Sequence, residues 1–294
     1  MTNQSKAYIY AALTVFFWST VATAFEIGLR DLNSIQLLLV ANITALLVFL
    51  VLLLLQRKFN LLREVTTREF GLSALQGLLN PFAYYLLIFK AYSLLPAQVA
   101  QPANFIWPVV LMLLSVPLLK QPLRFYNVAA LLVSFAGVLI LSSQGNLRSF
   151  RIVQPLGIGL ALLSSLVWSL FWIVNLKDNR DNLVKLFLSS LFSAGYILIL
   201  ALATDNFSPV LSKPLYAPVY IGLFEMGITF AFWLKALQLS DSTGKVANFI
   251  YLTPFISLIF IHLILHEELY YTSFIGLCLI VGGILIGRIK NGKG

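Results

Sequence analysis

Glu225 and Asn80 are polar side chains in places where polarity is costly. Glu225 sits in Gly222-Leu223-Phe224-Glu225-Met226-Gly227, in the middle of a long apolar stretch; Asn80, followed by the helix-disturbing Pro81, holds the equivalent point of another stretch, 145 residues earlier. An ionisable group inside an apolar span points to function by default, because hydrocarbon cannot solvate it. Three kinds of chemistry are open to Glu225: exchanging a proton as a coupling group, receiving the ammonium of a solute, or hydrogen-bonding a neighbouring helix in a structural role. Glu26, by contrast, lies within a turn of a span end and can snorkel to the surface.

A second constellation is a pair of proline-interrupted segments, Pro102-Ala103-Asn104-Phe105-Ile106-Trp107-Pro108 and Ala247-Asn248-Phe249-Ile250-Tyr251-Leu252-Thr253-Pro254. Proline removes a backbone donor and disturbs the preceding turn, which frees carbonyls for other partners. Asn104 and Asn248 would supply hydrogen bonds, and Trp107 and Tyr251 flat faces; such residues also serve membrane helices as kinks and interhelical glue. Trp18 and Trp168 fall well inside their spans, away from the interfaces where tryptophan concentrates. With Tyr84, Tyr85, Trp172 and Trp233 they offer aromatic surface suited to an apolar or aromatic solute, or to a cation, with helix packing as the plainer use. The expected substrate-binding set is Trp18, Asn80, Tyr84, Asn104, Trp107, Trp168, Glu225, Asn248 and Tyr251, with Glu225 the proton-coupling candidate.

Other chemistry finds little support. His262 and His266 are four apart and followed by Glu267 and Glu268, but they lack the His-Glu-x-x-His order of a zinc protease and a third ligand cluster, so no metal is expected. There is no glycine-rich phosphate loop and no Gly-x-Ser-x-Gly nucleophile elbow. Neither a catalytic residue nor a cofactor is expected, and the chain does not read as an enzyme. The single cysteine, Cys278, excludes an internal disulfide.

The elements that must position these residues are membrane helices. The chain is 60% hydrophobic and only 11% charged, far from a soluble average. Its apolar stretches predict ten spans, at 8–28, 34–55, 70–89, 97–119, 123–143, 157–175, 183–203, 215–234, 246–265 and 272–288. The connections are short, the longest being 56–69, so no separate soluble domain fits. Lys6 and Ala22-Thr23-Ala24 superficially resemble a signal peptide, but the segment has a counterpart at 157–175 and reads as a retained helix.

That counterpart belongs to a repeat. Trp18-Ser19 matches Trp168-Ser169, Lys90-Ala91 matches Lys235-Ala236, Ala103-Asn104-Phe105-Ile106 matches Ala247-Asn248-Phe249-Ile250, and Ala136-Gly137-Val138-Leu139-Ile140 matches Gly282-Gly283-Ile284-Leu285-Ile286. Residues 1–145 and 146–294 thus form two five-helix repeats. An odd number of spans per repeat makes the second inverted, an architecture of secondary transporters with the solute site near the midplane where the repeats meet.

The net charge of +9 is explained by topology rather than by nucleic acid. With the N-terminus inside, the inner loops collect Lys6, Arg57, Lys58, Arg63, Arg68, Lys120, Arg124, Lys177, Arg180, Lys185, Lys235, Lys245, Arg288, Lys290 and Lys293, against Arg30, Lys90, Arg148, Arg151 and Lys213 outside. The positive-inside rule then puts both termini in the cytoplasm of a cell inner membrane. The loop Lys120-Gln121-Pro122-Leu123-Arg124 is basic where its repeat equivalent, His266-Glu267-Glu268-Leu269-Tyr270, is acidic, as equivalent loops on opposite sides should be.

Ten spans, a five-plus-five repeat, the early Trp18-Ser19 and the ending Pro254, His266-Glu267-Glu268-Leu269, Gly276, Gly282-Gly283-Ile284-Leu285 resemble the drug/metabolite transporter superfamily in its EamA-type branch. Asn104-Phe105-Ile106-Trp107-Pro108 is similar to a stretch of the YddG-type amino-acid exporters of that branch. The first half departs from the family pattern where Lys120-Gln121-Pro122 replaces the more usual Gly-Glu. The resemblance implies gradient-linked or facilitative efflux of amino acids and related metabolites from a central cavity. The leading expectation is therefore an all-α integral membrane exporter of hydrophobic or aromatic amino acids working by alternating access. Its partners would be a small solute and the lipid bilayer, with no nucleic acid. An exporter of cationic drugs or nucleobase-like metabolites keeps the same fold, and a non-transporting membrane enzyme or scaffold is the reading from another class.

Overall fold

Spans of this hydropathy form helices because a backbone in hydrocarbon must satisfy its own hydrogen bonds. The computed structural model describes residues 2–122, 125–146, 152–204, 213–241, 246 and 248–288. Leu123, Arg124, Arg148, Arg151, Lys245, Ala247, Lys290 and Lys293, used above, lie outside them. All regular structure among the described residues is helical. Nine helices there are long and apolar enough to cross a membrane, and a tenth, Tyr271–Gly287, is apolar but shorter; together they fall on the ten expected spans.

In chain order the helices are α1 (Asn3–Asp31), α2 (Ser34–Leu55), α3 (Thr67–Gly77), α4 (Tyr84–Tyr92), α5 (Ala97–Asn104), α6 (Trp107–Leu119), α7 (Phe125–Ser142), α8 (Pro155–Leu176), α9 (Asn182–Ala203), α10 (Tyr216–Tyr220), α11 (Ile228–Leu239), α12 (Thr253–Leu265) and α13 (Tyr271–Arg288). Helix starts follow local chemistry. Asn33 and Gln36 form a reciprocal capping box at α2, as do Thr66 and Glu69 at α3, and the Asp181 side chain accepts the Leu183 N–H at α9.

The chain packs as two compact units, one of Met1–Leu86 with Asn179–Phe260 and the other of Leu87–Asp178 with Ile261–Gly294. Each unit draws helices from both halves of the sequence. In the first, α1 lies against α11, and α2 and α3 lie against α9. Asn42 of α2, fully buried, donates its amide to the Ser190 carbonyl of α9 at 3.0 Å.

In the second unit α7 packs along α13, and α8 against α5 and α6. Small residues set the approach. Gly157, Ala161, Ser165 and Ser169 make a buried stripe on α8, and Ser169 donates to the Trp107 carbonyl at 3.0 Å. A methyl added at Gly137 of α7 would lie 2.6 Å from the Gly276 carbonyl of α13, whereas one at Gly159 would meet nothing within 4 Å. Gly137→Ala should therefore cost roughly 1–3 kcal/mol by forcing backbones apart, and Gly159→Ala none. Thermal unfolding of both variants in detergent measures the difference; equal midpoints would refute this close packing.

The acidic loop before α13 has a structural task of its own. The Glu267 carboxylate accepts the Ala97 N–H at the start of α5 (3.2 Å) and the Gln98 amide (3.1 Å). Gln98 also donates to the Glu268 carbonyl (2.9 Å) and accepts from the Tyr270 N–H (2.8 Å) and the Ser273 hydroxyl (3.1 Å).

Candidate functional site

The eighth span is broken at its centre. After α10 the chain widens into a π-helical turn, Ile221–Glu225, in which the Met226 N–H reaches the Ile221 carbonyl at 3.0 Å. Gly227 then leaves helical geometry (φ −107°, ψ −97°) before α11 begins. The break is wedged against α2, since a side chain at Gly222 would collide with the Ala41 carbonyl and Thr44. The Thr229 hydroxyl donates to the freed Phe224 carbonyl, the kind of local repair by which a membrane helix tolerates an interruption.

The third span breaks at the equivalent place. Between α3 and α4 runs a π-helical segment, Leu78–Ala83, with Asn80 in extended geometry (φ −147°, ψ 124°) and a cis peptide to Pro81. Gly77 and this segment lie close on α9, where a Gly77 side chain would strike the Ser189 carbonyl. Asn80 is 5% exposed. It lines a small cavity with Tyr85, Ser189, Ser190, Phe49, Met226 and Phe230, and its Oδ1 takes no hydrogen bond among the described residues.

Glu225 and the Asn80 break meet through Tyr85. Glu225 is buried, and its Oε1 accepts the Tyr85 hydroxyl at 3.0 Å. The Glu225 carbonyl lies 3.5 Å from the indole N–H of Trp18, a long hydrogen bond. Trp18 turns its ring edge to Phe230 (centroids 5.7 Å) and lies 5.8 Å from Trp233. Tyr84 packs edge-on against Tyr85 at 4.8 Å, and Phe25 closes on Tyr85 at 6.3 Å. On the other side of the break Thr20 shares a hydrogen bond with Tyr220 (2.7 Å), and Phe17 stacks on Phe224 at 4.5 Å. A carboxyl held by one phenol among aromatic faces can carry a proton or receive an ammonium group, and can seat an apolar ring beside it.

Of the expected set, Trp18, Asn80, Tyr84 and Glu225 thus come together in the first unit. Tyr85, expected only as aromatic surface, is the partner that joins them. Its link to Glu225 spans 140 residues, and no local pattern carries that signal. Asn248 and Tyr251 belong to a 3₁₀ turn, Asn248–Leu252; Tyr251 is buried but Asn248 is exposed, so the asparagine does not join the buried group. This second-half proline interruption is tied to α1 by Ser19, which donates to the Thr253 carbonyl at 3.1 Å.

Asn104, Trp107 and Trp168 form a cluster in the second unit. The Asn104 amide donates to Ser164 at 2.8 Å, and Trp107 meets Trp168 edge to face at 6.4 Å. The break after Pro102 is real: α5 ends at Asn104 and α6 begins at Trp107. Among the described residues no group of His, Cys, Asp and Glu is placed to hold a metal ion; His262 Nδ1 instead contacts the Glu267 carbonyl at 3.0 Å.

Comparison with known proteins adds to this geometry. The EamA-like transporter family matches the chain twice, over residues 5–143 and 155–287. An uncharacterized transporter of Archaeoglobus fulgidus is 23% identical over 98% of this chain and 99% of its own length. The uncharacterized transporter YvbV of Bacillus subtilis is 28% identical over 73% of this chain and 70% of its own. The aromatic amino acid exporter YddG of Escherichia coli is 22% identical over 65% and 67%. A solved crystal structure, 21% identical, shares the fold over 97% of both chains with a TM-score of 0.64. With both halves matched, the chain belongs to the EamA-like transporter family of the drug/metabolite transporter superfamily, a multi-pass membrane protein that carries out transport rather than catalysis.

Proposed function

We propose that this transporter exports hydrophobic or aromatic amino acids across the inner membrane by alternating access. The observation that carries the reading is the buried Glu225 carboxyl, bonded to Tyr85 and flanked by Trp18, Phe230 and Trp233 at the point where two spans are broken. Trp18, Asn80 and Tyr85 come from the first half of the sequence, and Glu225, Phe230 and Trp233 from the second. That mixture supports a site where the two repeats meet within one unit, as in inverted-repeat transporters. Glu225 would take the amine of the solute or a proton, the aromatic side chains would receive its apolar part, and Asn104 and Asn248 would contribute polar contacts at other stages of the cycle. The double family match supports repeats bounded at 1–145 and 146–294. The loop charge bias supports an inverted relation between them and cytoplasmic termini. Kinship with an aromatic amino acid exporter supports the substrate class.

A carboxyl ringed by aromatic faces also suits an organic cation, which keeps export of cationic drugs as the second reading. Counterflow separates them. Proteoliposomes preloaded with unlabelled phenylalanine should transiently accumulate radiolabelled phenylalanine, while empty liposomes should not. No accumulation from folded protein would reject the amino-acid reading and favour the cationic one.

A further inference from the structure

The first unit holds a second chamber, larger than the one at Asn80 and lined by both apolar and charged side chains. It is a cleft of about 340 Å³, within the range of small-molecule sites. Aliphatic side chains of α2 and α9 line it, with the rings of Tyr10 and Phe232 paired at 5.6 Å. It also carries charges of both signs. Lys58 is paired with Asp181 at 2.7 Å, their side chains only 35% and 26% exposed. Lys235 and Gln238 are exposed on α11, and Lys235 makes no ion pair among the described residues.

We propose that this cleft is a vestibule that binds a free zwitterionic α-amino acid before it reaches Glu225, a reading that rests on the substrate class argued above. A simple anion would meet Asp181, and a simple cation would meet two lysines. A zwitterion satisfies both signs, its carboxylate toward Lys235 and its ammonium toward Asp181, a carboxylate it would share with Lys58 and the Leu183 N–H, with an apolar side chain laid on Tyr10 and Phe232. The vestibule shares its helices with the buried site. Tyr10 and Trp18 lie two turns apart on α1, about 12 Å by helical rise, and Phe232 adjoins Trp233 on α11.

Lys235→Gln tests this on an exposed side chain whose loss does not threaten folding. Phenylalanine flux is measured in right-side-out and inverted vesicles of phosphatidylglycerol, which offer no zwitterionic headgroup. The half-saturating concentration should rise about fivefold for flux starting on the Lys235 side and stay unchanged in the other direction, as expected from losing one solvent-screened ionic contact. Lys235→Arg should restore it. No shift, or an equal shift in both directions, overturns the vestibule. A shift that appears only when phosphatidylethanolamine is added assigns the cleft to a lipid headgroup and overturns it too. Wild-type vesicles that move no phenylalanine refute the substrate reading itself, and the vestibule's ligand with it.

Discussion

Glu225→Gln protein should fold, bind and exchange phenylalanine, yet lose all dependence of its flux on pH. Glutamine can still accept the Tyr85 hydroxyl that reaches Glu225 Oε1 at 3.0 Å, so the broken span keeps its internal partner. What disappears is the group proposed to exchange a proton. With one proton exchanged per solute, a gradient of one pH unit supports about tenfold accumulation, since one unit corresponds to about 1.4 kcal/mol. In the variant that accumulation should fall to equality across the membrane while counterflow persists. Tyr85→Phe supplies the contrast: it removes the side-chain hydrogen bond described for Glu225 but leaves the carboxyl, so the pH profile of flux should move rather than vanish. Undiminished pH-driven accumulation by Glu225→Gln would remove Glu225 from the coupling role and leave it a structural or ammonium-binding residue.

Gln98→Ala should be among the most destabilising changes in the second unit. A glutamine amide has two donor hydrogens and an oxygen that accepts twice. Gln98 is 1% exposed and uses all four positions, on Glu267, the Glu268 carbonyl, the Tyr270 N–H and the Ser273 hydroxyl. Alanine would strand these groups; the buried Ser273 and the half-buried Glu267 and Tyr270 would each lose up to about 1–3 kcal/mol, and the exposed Glu268 less, because water reaches it. A net loss of about 2–4 kcal/mol lowers the unfolding midpoint of a protein this size by roughly 5–10 °C. Gln98→Glu should fare no better, because a carboxylate cannot donate to Glu267 and repels it. Tryptophan fluorescence during heating in detergent provides the midpoint; a fall below about 2 °C for Gln98→Ala would mean that water replaces the clamp at little cost.

The clamp shows how a sequence signal can be legible before its cause is. His266-Glu267-Glu268 stood out as an acidic loop opposite a basic one, a property of charge and topology. Its use as an acceptor for the start of α5 depends on Ala97 and Gln98, some 170 residues away. The spacing of four between Gly157, Ala161, Ser165 and Ser169 likewise announces close packing, and only the fold shows Trp107 as one of the stripe's partners.

Membrane spans and their number were determined by the sequence alone, because hydrophobic length is local, and the sequence also sets Glu225 and Asn80 at corresponding positions of the two matched halves. The tertiary structure decided which faces meet. It grouped helices from both halves into each unit, made Tyr85 the partner of Glu225, and left Asn248 exposed. In a chain this uniformly apolar, every helix face is greasy enough to pack. The choice among faces therefore falls to shape and to a few distant hydrogen bonds, neither of which has a period that can be read along the chain.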